Sequence, residues 1–212
     1  MNRRGILLVI SGFAGSGKGT ICKELMKRHD HYAFSVSATT RDPRPGEADG
    51  VDYFYVTKER FEEMIAQGEL LEYASYVSNY YGTPRAYVEE KLSSGMDVIL
   101  EIECQGALQV KELFPEALLF FVMPPTVEEI YNRLHKRGTE TEEVIMKRMR
   151  RGSEEAEVIE QYDYLLINDD LDEAVALLEN TVNCSRYLVR RNTGQLRVVR
   201  QQFEEFFNDH PE

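Results

Sequence analysis

The 212-residue chain sets 37 acidic against 25 basic side chains, a formal net charge of −12, with 42% hydrophobic residues. That apolar share closes one sizeable core in a chain too short for two full-sized domains, and the acidic balance argues against broad attraction to nucleic acid or an anionic membrane surface. No window approaches the roughly 18 uninterrupted apolar residues of a membrane span, and the start, MNRRGILLVISG, lacks a small-residue cleavage site, so the expected location is the cytoplasm.

The first element is an apolar strand, ILLVIS (6–11), which runs directly into GFAGSGKGT. Strand, glycine loop and helix in that order form the context a GxxxxGK phosphate loop needs. Glycines let successive amides point at one anion, the following helix presents its positive end, and Lys18 adds a full charge at the β and γ phosphates. Gly12, Ala14, Gly15, Ser16, Gly17, Lys18, Gly19 and Thr20 are therefore the candidate ATP site. Gly19 stands where most such loops carry a metal-binding hydroxyl, which here comes one residue later at Thr20. A Mg²⁺ ion is thus expected to ride on the nucleotide phosphates and water, with Thr20 as the candidate protein contact.

Further runs, YAFSVS (32–37), DVILEIE (97–103), ALLFFVM (117–123) and YLLIND (164–169), alternate with helical patterns. Strands apolar on both faces predict a parallel sheet covered by helices, an α/β fold. The alternation breaks twice. From 37 to 95 a Pro/Gly-rich turn, a polar-aromatic alternation (VDYFYV) and a tyrosine-rich loop predict an inserted β-rich subdomain. From 126 to 152 a helical pattern heavy in arginine and lysine, interrupted at RGTETEE where Thr139 or Thr141 could cap a new helix, reads as a basic lid. The core is then 1–36, 96–125 and 153–212. A helix, LDEAVALLENTV, follows Asp170, and the stretch after Cys184 is helix-compatible but broken at RNTG, a solvated terminal helix. Cys22, Cys104 and Cys184 are too widely spaced for a disulfide framework or a zinc site and read as free thiols, and His29, His31, His135 and His210 as surface residues.

The run SVSATTRDPRPGEADGVDYF, with NYYGT, LEIECQGA and NDD further on, resembles the acceptor half and core of guanylate kinases, in the same order over about residues 5 to 183. The resemblance implies a P-loop three-layer fold with an inserted GMP-binding subdomain and a helical lid, and ATP-dependent phosphorylation of GMP. Arg41 and Arg44, three residues apart around a proline turn, can aim two guanidinium forks at one phosphate. Alone, such a pair reads rather as a solvated turn. The resemblance gives them, with Tyr53 and Tyr81, the GMP phosphate, and sets Arg41 toward the transferring group. It assigns Glu72 to the N1 and amino edge of guanine, with Ser37 and Thr83 as hydroxyl partners and Glu103 as a further acidic contact. Outside that motif Glu72 would read as an exposed strand carboxylate. Glu101 and Glu103 stand as alternatives for touching guanine and for orienting metal-bound water. Arg137 and Arg148 match the lid arginines, Arg133 is a helper, and Arg150 and Arg151 read as decoration of a helix face. Asn168 falls near the expected adenine position, although NDD could equally cap a helix through Asp169 or Asp170.

Two other readings compete. The GKGT ending also occurs in adenylate kinases, so another small-molecule acceptor is conceivable, against which the acceptor motifs argue. A non-catalytic guanylate-kinase-like protein-binding module typically has a degraded phosphate loop, whereas Lys18, Arg41, Arg44, Arg137 and Arg148 are all present here. ATP and GMP are the expected small-molecule partners, with dGMP also accepted because no contact to the ribose 2′-hydroxyl is evident.

Overall fold

The computed structural model describes residues 4–76, 78–138 and 141–210; the side chains of Tyr76 and Arg137 fall outside the described part. The chain opens on β1 (Leu7–Gly12), turns through the glycine loop into α1 (Lys18–Arg28) and returns in β2 (Tyr32–Phe34). A second sheet follows from β3 (Ala38–Thr39), β4 (Phe54–Tyr55), β5 (Leu70–Tyr76) and β6 (Asn79–Pro84), with α2 (Lys58–Ala66) between β4 and β5 and α3 (Arg85–Ser93) leading back. Then come β7 (Asp97–Glu101), α4 (Cys104–Leu113), β8 (Leu118–Met123), α5 (Val127–Arg137), α6 (Glu142–Ala156), β9 (Tyr164–Ile167), α7 (Leu171–Ser185) and α8 (Thr193–Asp209).

Five strands form the main sheet in the order β2-β7-β1-β8-β9, every pairing parallel. β1 lies at its centre and is buried along its whole length, which is why its sequence is apolar at every position rather than alternating. Leu7, Val9, Val98, Leu100 and Leu119 project to one face and pack with Val88, Leu92, Ala107 and Val110 from α3 and α4. Phe13, Phe121, Ile130, Leu134 and Ile145 gather under α5 and α6. The smaller sheet, β4-β3-β6-β5, has its own core of Ala38, Phe61, Met64 and Leu70. The VDYFYV alternation contributes only the two residues of β4, paired parallel to β3, because the chain on either side turns.

Residues 1–175 form one compact unit and 176–212 a second, a division inside the stretch that the sequence suggested was a single run of core. Thr126 caps α5, its hydroxyl accepting the Glu129 N–H at 3.1 Å. Thr141 occupies the corresponding place before α6, but its hydroxyl makes no capping bond, and Glu142 and Glu143 supply negative charge to that first turn instead. Thr139 lies outside the described residues.

Candidate active site

The end of β1 delivers the chain into the glycine loop, where the Ser16 N–H closes a turn onto the Phe13 carbonyl at 3.0 Å. Gly17 then takes φ 86°, a left-handed value that sets the direction of α1 and that residues with a Cβ rarely adopt. No side chain caps α1, so its positive end is left open to an anion. Residues 14–20, with Lys23, Glu101 and Arg148, line a cavity of about 280 Å³. The Lys18 ammonium donates to the Gly12 carbonyl at 3.2 Å, holding it across the loop.

Asn168 is buried and donates from Nδ2 to the Ser16 carbonyl at 2.7 Å. A Cβ at Gly17 would sit 2.4 Å from that same nitrogen, so glycine is required there by space as well as by φ. Arg133 donates to the Asn168 carbonyl at 3.0 Å while Glu129 accepts from its Nε at 2.7 Å. Loop, β9 and α5 thereby meet at one residue, and the role of Asn168 in the structure is as a brace under the loop. Asp170 caps α7 by accepting the Glu173 N–H at 3.0 Å.

Glu101 and Glu103 point to different neighbours. Glu101 shares the loop cavity with Lys18 and Thr20; burial pushes its carboxyl up, opposed by the positive charges of Lys18 and Lys23. Glu103 precedes α4 and accepts from Arg151 Nη2 at 2.9 Å, and the same guanidinium donates to Glu155 at 3.1 Å. Arg151 thus ties α6 to the start of α4 rather than decorating a helix face. His135 is exposed, as the sequence suggested, and on that surface its Nε2 lies 2.6 Å from Glu142 and 2.9 Å from the Tyr131 hydroxyl, a link between α5 and α6.

On the second sheet, Glu72 of β5 and Thr83 of β6 are brought together by antiparallel pairing. The Thr83 hydroxyl donates to Glu72 Oε1 at 2.6 Å, and both side chains are buried. Burial pushes the Glu72 carboxyl up, and the Thr83 hydroxyl and backbone act against it. Its other oxygen faces Gly106 of α4, where a Cβ would stand only 2.8 Å away. Ser37 is half-buried, and its carbonyl receives the Phe54 N–H at 2.9 Å at the edge of the same sheet.

Arg41 is held beside Tyr53 and Tyr55, its guanidinium carbon 5.3 and 5.9 Å from the two ring centroids, and the Tyr53 and Tyr81 rings are 6.0 Å apart. Its Nη2 donates to both oxygens of Glu47 at 3.0 and 2.9 Å. Glu47 also accepts the Arg44 N–H at 2.7 Å and the Tyr55 hydroxyl at 2.8 Å. These donors, the Arg44 amide first, hold its carboxyl down at about 2. Burial, then the hydrogen bond to Glu47, pushes the Tyr55 hydroxyl up to about 12. The Arg44 side chain is exposed. Glu47, Gly106 and Lys23 were not singled out from the sequence, and Arg151 reads there as decoration of a helix face. Glu47 had a local signal, an acid three residues after Arg44 on the same proline turn, whereas the others matter only through partners distant in the chain.

Residues 4–185 match the family model described as guanylate kinase. The chain is 50% identical over 195 residues to a guanylate kinase of Oceanobacillus iheyensis, covering 92% of this chain and 94% of that one. It is 53% identical over 186 residues to a guanylate kinase of Halalkalibacterium halodurans, covering 86% and 91%. The crystal structure of guanylate kinase from Anaplasma phagocytophilum superposes with a TM-score of 0.73 at 29% identity, covering 94% of this chain and 96% of that one. With its phosphate loop intact and a buried Glu72–Thr83 pair on a second sheet, this chain belongs to the guanylate kinase family.

Proposed function

We propose that two anion sites of this chain carry the ATP-dependent phosphorylation of GMP, the loop cavity taking ATP and the inserted sheet taking GMP. The observation that carries the acceptor half is the buried Glu72–Thr83 pair, since a buried carboxylate with one oxygen already occupied suits the donor edge of guanine. Adenine offers that carboxylate no N1–H, and an unpaired buried polar group costs about 1–3 kcal/mol. Ser37 and Glu103 complete the base contacts in this reading. Arg41, Arg44, Tyr53 and Tyr81 hold the GMP phosphate, with Glu47 setting the angle of Arg41.

On the donor side Lys18 and the amides of residues 12–20 hold the ATP phosphates. Arg148, already lining the cavity, and Arg137 bring positive charge to the moving group, and Arg133 and Asn168 position the loop. Transfer needs in-line placement, exclusion of water and charge compensation; the attacking phosphate is itself an anion, so no general base is required. Among the described residues no group of three or more His, Cys, Asp or Glu could hold a metal by itself. The donor set, Thr20 with Glu101 beside the cavity, fits a Mg²⁺ ion carried in on ATP, which Thr20 would hold and whose water Glu101 would orient. Mg²⁺ would shield the phosphate oxygens.

The insertion 37–95 and the lid 126–152 close over the core segments 1–36, 96–125 and 153–212 when both nucleotides bind. dGMP serves as an acceptor, nucleic acid and membranes are not partners, and the enzyme works in the cytoplasm. Among the described residues no helix is long and apolar enough to cross a membrane. Calorimetric titration tests the acceptor half: GMP should bind at least about tenfold more tightly than AMP, with the preference lost in Glu72→Gln. Equal affinity for both would reject it.

A further inference from the structure

Glu103 stands at the N-terminal cap of α4, where an acidic side chain can accept an N–H of its own helix. It makes no such bond, and its Oε2 accepts instead from Arg151 of α6 at 2.9 Å. Arg151 also donates through Nε to Glu155 at 3.1 Å, so one guanidinium serves two carboxylates. Glu155 is the more enclosed of the two, its side chain 12% exposed against 61% for Glu103. Burial, then the charge of Glu103, pushes the Glu155 carboxyl up, and Arg151 acts against both. Without the guanidinium two like charges would face each other between α4 and α6, and Glu103, the exposed one, has the room to move.

The bond to Arg151 does not use Glu103 up. A carboxylate carries lone pairs on both oxygens, and one held through Oε2 by a charge-assisted bond still offers Oε1 in a fixed direction. Glu72 is divided in the same way, its Oε1 taken by the Thr83 hydroxyl at 2.6 Å. Resting on the reading that Glu103 touches guanine, we propose that Arg151 is a positioning residue of the acceptor site: its guanidinium holds Glu103 beside Glu155 and leaves Oε1 for the base. One acid of the base site is then aimed from α6, a helix of the basic segment, and not by the helix that Glu103 itself begins.

Steady-state kinetics on the full chain, with GMP and ATP varied in turn, tests it. The Arg151 and Glu103 side chains are 54 and 61% exposed, and an exposed ion pair changes an equilibrium by at most about fivefold. Arg151→Gln should therefore raise the KM for GMP about threefold to fivefold and leave kcat and the KM for ATP within about 1.5-fold. Arg151→Lys restores the charge between the two acids and should bring the KM for GMP back to within about twofold of the parent. Arg150→Ala, one position away on α6, should not move it. Glu103→Gln should itself raise the KM for GMP, and Arg151→Gln added to it should cost less than about 1.5-fold more, because the pair acts as one unit. An unchanged KM for GMP in Arg151→Gln, no recovery in Arg151→Lys, or a full further loss on top of Glu103→Gln would overturn the proposal while leaving Glu103 on the base. A normal KM for GMP in Glu103→Gln alone would reject both that contact and the proposal. A lowered melting temperature in Arg151→Gln with kcat and both KM values shifted together would overturn it too, making Arg151 only a tie between α6 and α4.

Discussion

The carboxylate of Glu72 fills the space in which a side chain on Gly106 would begin, so that a Cβ there would stand 2.8 Å from Oε2. β5 carries the acid and α4 carries the gap, and the placement of the carboxylate requires both. Gly106→Ala should push the carboxylate out of place. Steady-state kinetics should then give a KM for GMP at least about tenfold higher with the KM for ATP unchanged, the loss expected when one buried polar contact is broken. An unchanged KM for GMP would remove Gly106 from the pocket.

Burial holds the Glu72 carboxyl above its ordinary value of 4.5, which makes ionised Glu72 a cost to the folded state. A folded-state value above the unfolded one means full stability at low pH and a decline as pH rises through the raised value. Glu72→Gln removes that cost. Its melting temperature should exceed that of the parent near about pH 7.5 and the gap should close towards about pH 4, while GMP turnover falls. A gap that widens on acidification would contradict the burial argument.

Glu47 works in the opposite direction. Its carboxyl is held down at about 2, so its contribution is present above its ordinary value of 4.5 and is lost as pH falls between the two. Glu47→Gln should therefore flatten the acid limb of the unfolding curve. Because Glu47 fixes Arg41 and the Arg44 backbone, the variant should also raise the KM for GMP about tenfold with kcat little changed. Loss of stability with normal GMP kinetics would leave it a purely structural residue.

Asn168→Ala leaves the Ser16 carbonyl without its partner and opens space beside Gly17. The expected result is a loss of about 1–3 kcal/mol in stability by denaturant unfolding and a raised KM for ATP, with the KM for GMP unmoved. If the KM for GMP moved instead, the brace would belong to the acceptor side.

Sequence and structure agree most closely where the signal is local. β1 and the loop after it are legible because a strand buried on both faces must be apolar throughout and because Gly17 must reach φ 86°. The resemblance names Glu72 and Thr83, yet only the β5–β6 pairing makes them partners. Arg151 and Glu103 lie 48 residues apart, and nothing near Arg151 distinguishes it from Arg150 until α6 folds over α4. Glu101 and Glu103, interchangeable on the page, are separated by where β7 ends: the first still faces the loop, and the second precedes the α4 helix and turns to Arg151.

The most direct test is ADP formation by the purified protein with ATP and Mg²⁺, offering GMP, AMP and UMP in parallel, with Lys18→Ala as control. Turnover with GMP alone, reduced at least about a hundredfold in Lys18→Ala, is the predicted result. Turnover with AMP or UMP comparable to GMP would contradict the Glu72 pocket, and none with any acceptor would contradict catalysis by this chain.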